Sequence, residues 1–291
     1  MDRSEPYVQT IRRACPELAI ESVDLNEQGQ NSVVLVVDGE WIFRFPRYAH
    51  VLARLRVETA ILQAIQGVVP LVVPAPVFLH LGDRQPGGAF FGYRRIPGEP
   101  LWRDTFRAIN DEATVDELAS QLGSFLRGLH SVPPGAISAR LARSDTRAEW
   151  IDIYARVVDQ LFPHMRPSAR TWAAGHFETC LDDEQAFAYE PVLKHGDMGP
   201  SNILFDRVAR RITGILDFGN SGLGDPAYDF AGLLSGYGEE FVQRCARTYP
   251  QVVAMLPRIR FYRGTFALLE ALSGAENDDP AAFAAGLAGY V

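Results

Sequence analysis

The chain has 291 residues, 47% hydrophobic and 22% charged, a balance that excludes disordered, collagen-like and coiled-coil classes. Its formal net charge of -8 argues against nucleic acid as a partner and favours basic ones. Cys15, Cys180 and Cys245 lie too far apart for a zinc site or a disulfide framework and read as buried free thiols.

The charged N-terminus, Met1 to Glu5, carries no apolar run of the secretory kind, so a cytoplasmic protein is expected. The most apolar stretch, Val68 to Leu81, is broken by Pro70, Pro74 and Pro76 and is shorter than the roughly 20 residues of a membrane span. No membrane association is expected.

The first element signal is a polar loop, Gln28-Gly29-Gln30-Asn31-Ser32, whose small residues let backbone N–H groups approach a phosphate. Two β-rich runs follow, Val33 to Val37 and Trp41 to Phe45, around Asp38-Gly39-Glu40, a hairpin signal. Leu55, Ala60, Ile61, Leu62 and Ile65 then recur at spacings of three and four, which predicts a helix over Val51 to Ile65. Strands are expected at Val77 to Leu81 and Phe90 to Ile96. The breaker cluster Pro97-Gly98-Glu99-Pro100 divides the chain into residues 1–96, a sheet with one main helix, and residues 97–291.

The second part turns helical. Thr114-x-x-Glu117 has the form of a capping box ahead of Leu118, Leu122, Phe125, Leu126 and Leu129, with Pro133-Pro134 closing the helix. Further helices are expected at Glu149 to Leu161 and Ala169 to Leu181, then short strands at Val192 to Lys194, Ile203 to Phe205 and Thr213 to Phe218. Helices resume around Phe230, Glu239 and Pro257, and the Ala/Gly-rich tail is expected to pack late or fray.

The chemistry sits among those strands. His195-Gly196-Asp197-Met198-Gly199-Pro200-Ser201-Asn202 is followed by an apolar strand, a turn and a second strand ending in Asp217-Phe218-Gly219. Phosphoryl transfer needs a carboxylate beside the acceptor hydroxyl and oxygen ligands that hold magnesium against the phosphates. Asp197 is the candidate base, and Asn202 and Asp217 offer the hard oxygen donors that Mg2+ prefers. His195 reads as a brace of the loop by hydrogen bonding.

A small sheet lobe, a short junction and a helical part with His-x-Asp-x-x-x-x-Asn and Asp-Phe-Gly resemble the protein-kinase-like fold. His195-Gly196-Asp197, Asn202-Ile203-Leu204-Phe205, Ile215-Leu216-Asp217-Phe218-Gly219 and Asp225-Pro226-Ala227-Tyr228-Asp229 together resemble the aminoglycoside phosphotransferase family. The pattern is most similar to its 2''-phosphotransferase and macrolide phosphotransferase branches. The resemblance covers most of the chain. It implies an α+β, two-lobed fold with a small antiparallel-sheet N-lobe and a larger, mainly helical C-lobe. It also implies transfer of the γ-phosphate of ATP or GTP, with magnesium, to a hydroxyl of a small, cationic acceptor such as an aminoglycoside, and hence antibiotic resistance.

In the strand Trp41 to Pro46, where relatives commonly carry a nucleotide-binding Lys, this chain has Arg44. The resemblance implies that Arg44 contacts the α- and β-phosphates and pairs with Glu58, and that Gly29 and Ser32 belong to the phosphate loop. It further implies that the purine meets main-chain groups between Arg94 and Ile96, with Tyr93 at the back of its pocket. Asp225 and Asp229 are expected to cap helices and brace the loop. Glu239, Glu240 and Glu270, with Glu276, Asp278 and Asp279, lie where the family binds cationic antibiotics. A kinase for another alcohol (a macrolide, choline, a fructosamine or a sugar metabolite) stays open, since fold and nucleotide site can be shared while acceptor pockets diverge. So do a nucleotide-binding pseudoenzyme and, more weakly, a metallohydrolase built on His195, Asp197 and Asp217.

Overall fold

The structure is a computed structural model that describes residues 3–27, 31–83, 85 and 87–291. It opens with helix α1 (Glu5–Ala14) and strand β1 (Val23–Asn26), followed by β2 (Ser32–Val37), β3 (Trp41–Pro46), α2 (Ala49–Ile65), β4 (Phe78–His80) and β5 (Phe90–Arg94). The five strands form one antiparallel sheet in the order β1-β2-β3-β5-β4. The expected Asp-Gly turn joins β2 to β3 and closes with the Glu40 N–H donating to the Val37 carbonyl at 3.0 Å.

Because strand side chains alternate, β2 and β3 each serve two compartments. Val33, Leu35, Val37, Phe43 and Phe45 bury against α1 and Phe90. Val34, Val36, Ile42 and Arg44 point the other way and line the cleft between the sheet and the rest of the chain. Helix α1 and strand β1 are absent from the sequence expectations. The signal for α1 was there: Val8, Ile11 and Cys15 recur at spacings of three and four, and all three are buried on the sheet.

After the junction come β6 (Glu99–Pro100), α3 (Arg103–Arg107), α4 (Glu112–His130), α5 (Arg147–Arg156) and α6 (Pro167–Leu181). Strands β7 (Val192–Lys194), β8 (Ile203–Asp206), β9 (Arg211–Ile215) and β10 (Gly222–Gly224) are followed by α7 (Pro226–Tyr237), α8 (Glu239–Arg244), α9 (Val252–Glu276) and α10 (Pro280–Leu287). Strand β8 pairs with β6 and β9, and β7 pairs with β10. A large apolar core runs from α2 through α4 to α9, including Leu62, Phe125, Leu193, Phe230 and Tyr262.

Among the departures from the sequence expectations, four have a clear local reason. The cap of α4 is Asp111, not Thr114: the Asp111 carboxylate accepts the Thr114 N–H at 3.3 Å and its hydroxyl at 2.6 Å, so Thr114 lies in the first turn. Strand β9 ends at Ile215, because Asp217 has φ 60° and turns out of the ladder. Helix α9 begins at Val252, so Pro257 lies inside it, where it supplies no N–H to the helical ladder. The tail does not fray: Asp279 caps α10 through the N–H groups of Ala281 and Ala282, and Leu287 is buried.

Candidate active site

Strand β7 delivers His195 into the core, and the chain then makes a sharp turn. Gly196 has φ 82°, and a Cβ there would lie 2.3 Å from the Asn220 carbonyl oxygen, so a side chain is excluded on two counts. The fully buried His195 ring fixes the turn. Its Nδ1 accepts the Asp197 N–H at 3.1 Å, which leaves the hydrogen on Nε2 to be donated to the Leu216 carbonyl at 2.9 Å. His195 therefore ties the Asp197 turn to the segment carrying Asp217, the bracing part expected of it.

The β8–β9 hairpin brings Asn202 and Asp217 together: the Leu216 N–H donates to the Asn202 carbonyl at 2.8 Å. Asn202 Nδ2 donates to the Asp197 main-chain carbonyl at 2.9 Å, so the amide oxygen is left for another partner. Asp197, Asn202 and Asp217 all border one cleft of about 670 Å³. Two oxygen donors and water-accessible space fit a hard divalent cation.

Arg44 enters the same cleft from β3. Its Nη1 lies 2.6 Å from Glu58 Oε1 on α2 and its Nη2 lies 3.1 Å from Asp217 Oδ1. The Arg44 and Glu58 side chains are 12% and 4% exposed, so this is a buried pair. Burial pushes the Glu58 carboxyl up to about 7 against the opposing pull of Arg44. Burial alone would lower the Arg44 guanidinium, but Glu58 and Asp217 outweigh it and hold the charge more firmly than usual.

The two aspartates diverge. Partial desolvation at the cleft wall, with the like charge of Asp217 adding to it, raises the Asp197 carboxyl above its ordinary value although the residue stays open to the cleft. Asp217 is pushed up by burial too, yet Arg44 and the Gly219 N–H bring it below the ordinary carboxylate value. One carboxyl is thus tuned toward proton uptake and the other toward fixed negative charge.

Of the other expected residues, Ser32, Tyr93 and Ile96 border the cleft, and Gly29 lies outside the described residues. The Arg94 side chain does not enter the cleft. It pairs with Glu40 and lies over the Trp41 ring, while its neighbour Arg95 borders the cleft instead. Arg54, Asn31 and Asn220 also border it and were missed. For Arg54 a signal existed, since it lies four residues before Glu58 and shares its helix face.

A second cavity of about 520 Å³ opens on the other side of Asp197, between α7 and α9. It is bordered by Tyr228, Ser235, Phe266, Leu269 and Glu270. Glu239 and Glu240 do not reach it. Arg260 holds Glu239 at 2.5 and 2.8 Å, and Arg244 holds Glu240, which turns both carboxylates into struts of α8. Glu276 pairs with Arg156 at 2.6 Å, and Asp279 is the α10 cap.

Asp229 and Asp225 hold the loop from beneath. The fully buried Asp229 carboxylate accepts the His195 and Gly196 N–H groups, each at 2.8 Å, and His130 Nε2 at 3.0 Å. Asp225 caps α7 and accepts from Arg258 at 2.6 Å and from the Tyr262 hydroxyl at 2.9 Å. Burial would raise Asp229, but His130, His195 and the Gly196 N–H hold it below the ordinary carboxylate value. A depressed carboxyl contributes stability that is full above its unfolded pKa and is lost as pH falls through that value toward the folded one. Asp229→Ala is expected to cost about 3–5 kcal/mol at neutral pH, because it orphans three donors, two of them buried in the core. Urea titration at neutral and acidic pH checks this, and the gap between the two proteins should narrow on acidification.

Comparison with known proteins converges on the same chemistry. The phosphotransferase enzyme family matches residues 23–262, most of the chain. The chain belongs to that family. The phosphotransferase is 31% identical over 242 residues to viomycin phosphotransferase of Streptomyces vinaceus, covering 75% of this chain and 79% of the relative. It superposes on the GDP complex of aminoglycoside 2'-phosphotransferase-IIIa with a TM-score of 0.90 and 27% identity, over 99% and 97% of the two chains. For a GDP and kanamycin complex of an APH(2'')-type enzyme the TM-score is 0.88 and the identity 28%, over 97% and 96%. A macrolide 2'-phosphotransferase of 21% identity, TM-score 0.77, shares the fold over 100% of this chain and 97% of its own. The phosphotransferase thus has the kinase-like fold and acts as a small-molecule O-phosphotransferase. Among its described residues no helix is long and apolar enough to cross a membrane.

Proposed function

We propose that the protein moves the γ-phosphoryl group of ATP or GTP to a hydroxyl of a cationic, aminoglycoside-like acceptor in the cytoplasm. The observation that carries this reading is the position of Asp197, which borders both the 670 Å³ cleft and the 520 Å³ cavity, so that a donor in one and an acceptor in the other meet at its carboxylate. The purine would lie against the main chain at Tyr93 to Ile96, and Arg44 would engage the phosphates as a fixed charge. Asn202 and Asp217 would hold magnesium, which neutralises charge on the phosphate oxygens when bound.

Asp197 orients the acceptor hydroxyl and takes its proton as the new O–P bond forms and the bond to the β-phosphate oxygen breaks, releasing nucleoside diphosphate. Antibiotic inactivation follows if the acceptor is a drug. The kanamycin seen in a structural neighbour and the viomycin named for a relative make those two compounds the first acceptors to try. Mass spectrometry of each after incubation with ATP or GTP and magnesium should show one added phosphate. Nucleotide turnover with no modified product in a wider panel of amines and alcohols would reject the reading.

Glu270 supplies the cavity with a second carboxylate, besides that of Asp197, for an acceptor ammonium. Glu270→Gln is expected to raise the acceptor KM about tenfold, as for a lost charge-assisted hydrogen bond. Glu239→Gln and Glu240→Gln should leave it unchanged.

A further inference from the structure

Beneath the acceptor cavity lies an ion pair that the transfer chemistry does not use. Lys194, the residue before His195, is 5% exposed, and its Nζ lies 2.7 Å from Asp145 Oδ2. Desolvating such a pair is costly, and the attraction offsets that cost only where geometry and further hydrogen bonds are good. The chain supplies both. Asp145 adopts φ 64°, its N–H donates to Glu149 at 2.6 Å, and its carboxylate accepts the Asp225 N–H at 3.2 Å. Gly224 leaves the space: a Cβ there would lie 2.2 Å from Asp145 Oδ2 and 2.9 Å from Lys194 Cε.

The ammonium so fixed sits 3.9 Å from the centroid of the Tyr228 ring. Tyr228 is the third residue of α7, borders the acceptor cavity beside Asp197, and packs on Tyr262 and Phe266 at 5.4 and 5.6 Å between centroids. Its hydroxyl meets no hydrogen-bond partner among the described residues, so Tyr228 has both a ring and a free hydroxyl to offer, and Tyr228→Phe separates the two. A ring that already holds one cation is a poor seat for a second, which leaves packing against neutral, apolar surface as the contact it can make.

We infer that Tyr228, clamped by the buried Lys194–Asp145 pair, is a specificity-determining wall of the acceptor site that takes the neutral, C–H-rich face of a sugar-like ring. The acceptor's charge is left to Glu270. This assignment rests on the acceptor reading given above.

The test uses the full chain with kanamycin as acceptor and ATP and GTP supplied separately. Tyr228→Leu is expected to raise the kanamycin KM about tenfold, the scale of a lost ring contact together with its buried area. The nucleotide KM should stay at the wild-type value. Tyr228→Phe, which keeps the ring, should behave as wild type. The charge-neutral double variant Lys194→Met, Asp145→Leu should shift the kanamycin KM in the same direction as Tyr228→Leu. An unchanged kanamycin KM in Tyr228→Leu, or a nucleotide KM and melting temperature that move in step with it, overturns the inference while leaving the function intact. Wild-type protein that turns over nucleotide and modifies neither kanamycin nor any compound of the wider panel removes the acceptor reading, and the inference falls with it.

Discussion

Asp197→Asn is expected to yield a folded protein that binds nucleotide normally and transfers phosphate about 10²–10⁴-fold more slowly, the range associated with a positioned general base. The loop does not depend on the carboxylate for its shape. Asp197 is held through its N–H on His195 Nδ1 at 3.1 Å and through its carbonyl, which accepts Asn202 Nδ2 at 2.9 Å. Both bonds survive in the variant. Asn keeps the size and one oxygen, so acceptor binding should change little while kcat collapses, the pattern of an interaction made in the transition state. Steady-state kinetics with calorimetric titration of nucleotide separate the two effects. Retained transfer in a correctly folded variant would remove Asp197 from the mechanism, and weakened nucleotide binding would mean that the carboxylate serves the donor rather than the acceptor.

The part of this site legible in the sequence is the part written in short-range residue order. Asn202 and Asp217 flank the two ends of the β8–β9 hairpin, so the pairing of Ile203 with Ile215 brings them together, and Asp197, five residues before Asn202, is held to them through the Asn202 side chain. Arg44 is placed by the resemblance of its strand to the one that carries the family's basic residue, and alternation along β3, which sends it opposite to Phe43 and Phe45, agrees with that placement. The acceptor side was not. Glu239, Glu240 and Glu270 are indistinguishable in sequence, and what separates them is whether an arginine from another element arrives: Arg260 and Arg244 claim the first two. Lys194 and Asp145 are 49 residues apart and meet only because the chain leading into α5 runs beside β10, a pairing with no local signature. Boundaries failed where one side chain overruled the pattern, as Asp111 does at α4 and as the left-handed Asp217 does at the end of β9.

Arg44→Met separates the stabilising part of the buried pair from its part in binding. The substitution leaves Glu58, 4% exposed, with no cation at 2.6 Å, and removes the guanidinium that also holds Asp217 at 3.1 Å. Breaking a buried pair from one side costs about 3–5 kcal/mol, so a marked fall in thermal stability is expected. Adding Glu58→Met should recover most of that loss, because two apolar chains of similar volume replace an ion pair at little net cost. Nucleotide affinity should not recover with it. Losing charge-assisted hydrogen bonds to phosphate weakens binding by about 10–100-fold in both the single and the double variant. Melting curves paired with titration of GDP and ADP read the two effects on the same samples. If the double variant regained affinity along with stability, Arg44 would be a structural strut of α2 and the phosphates would have to be held elsewhere, with Arg54, which borders the same cleft, the first residue to test.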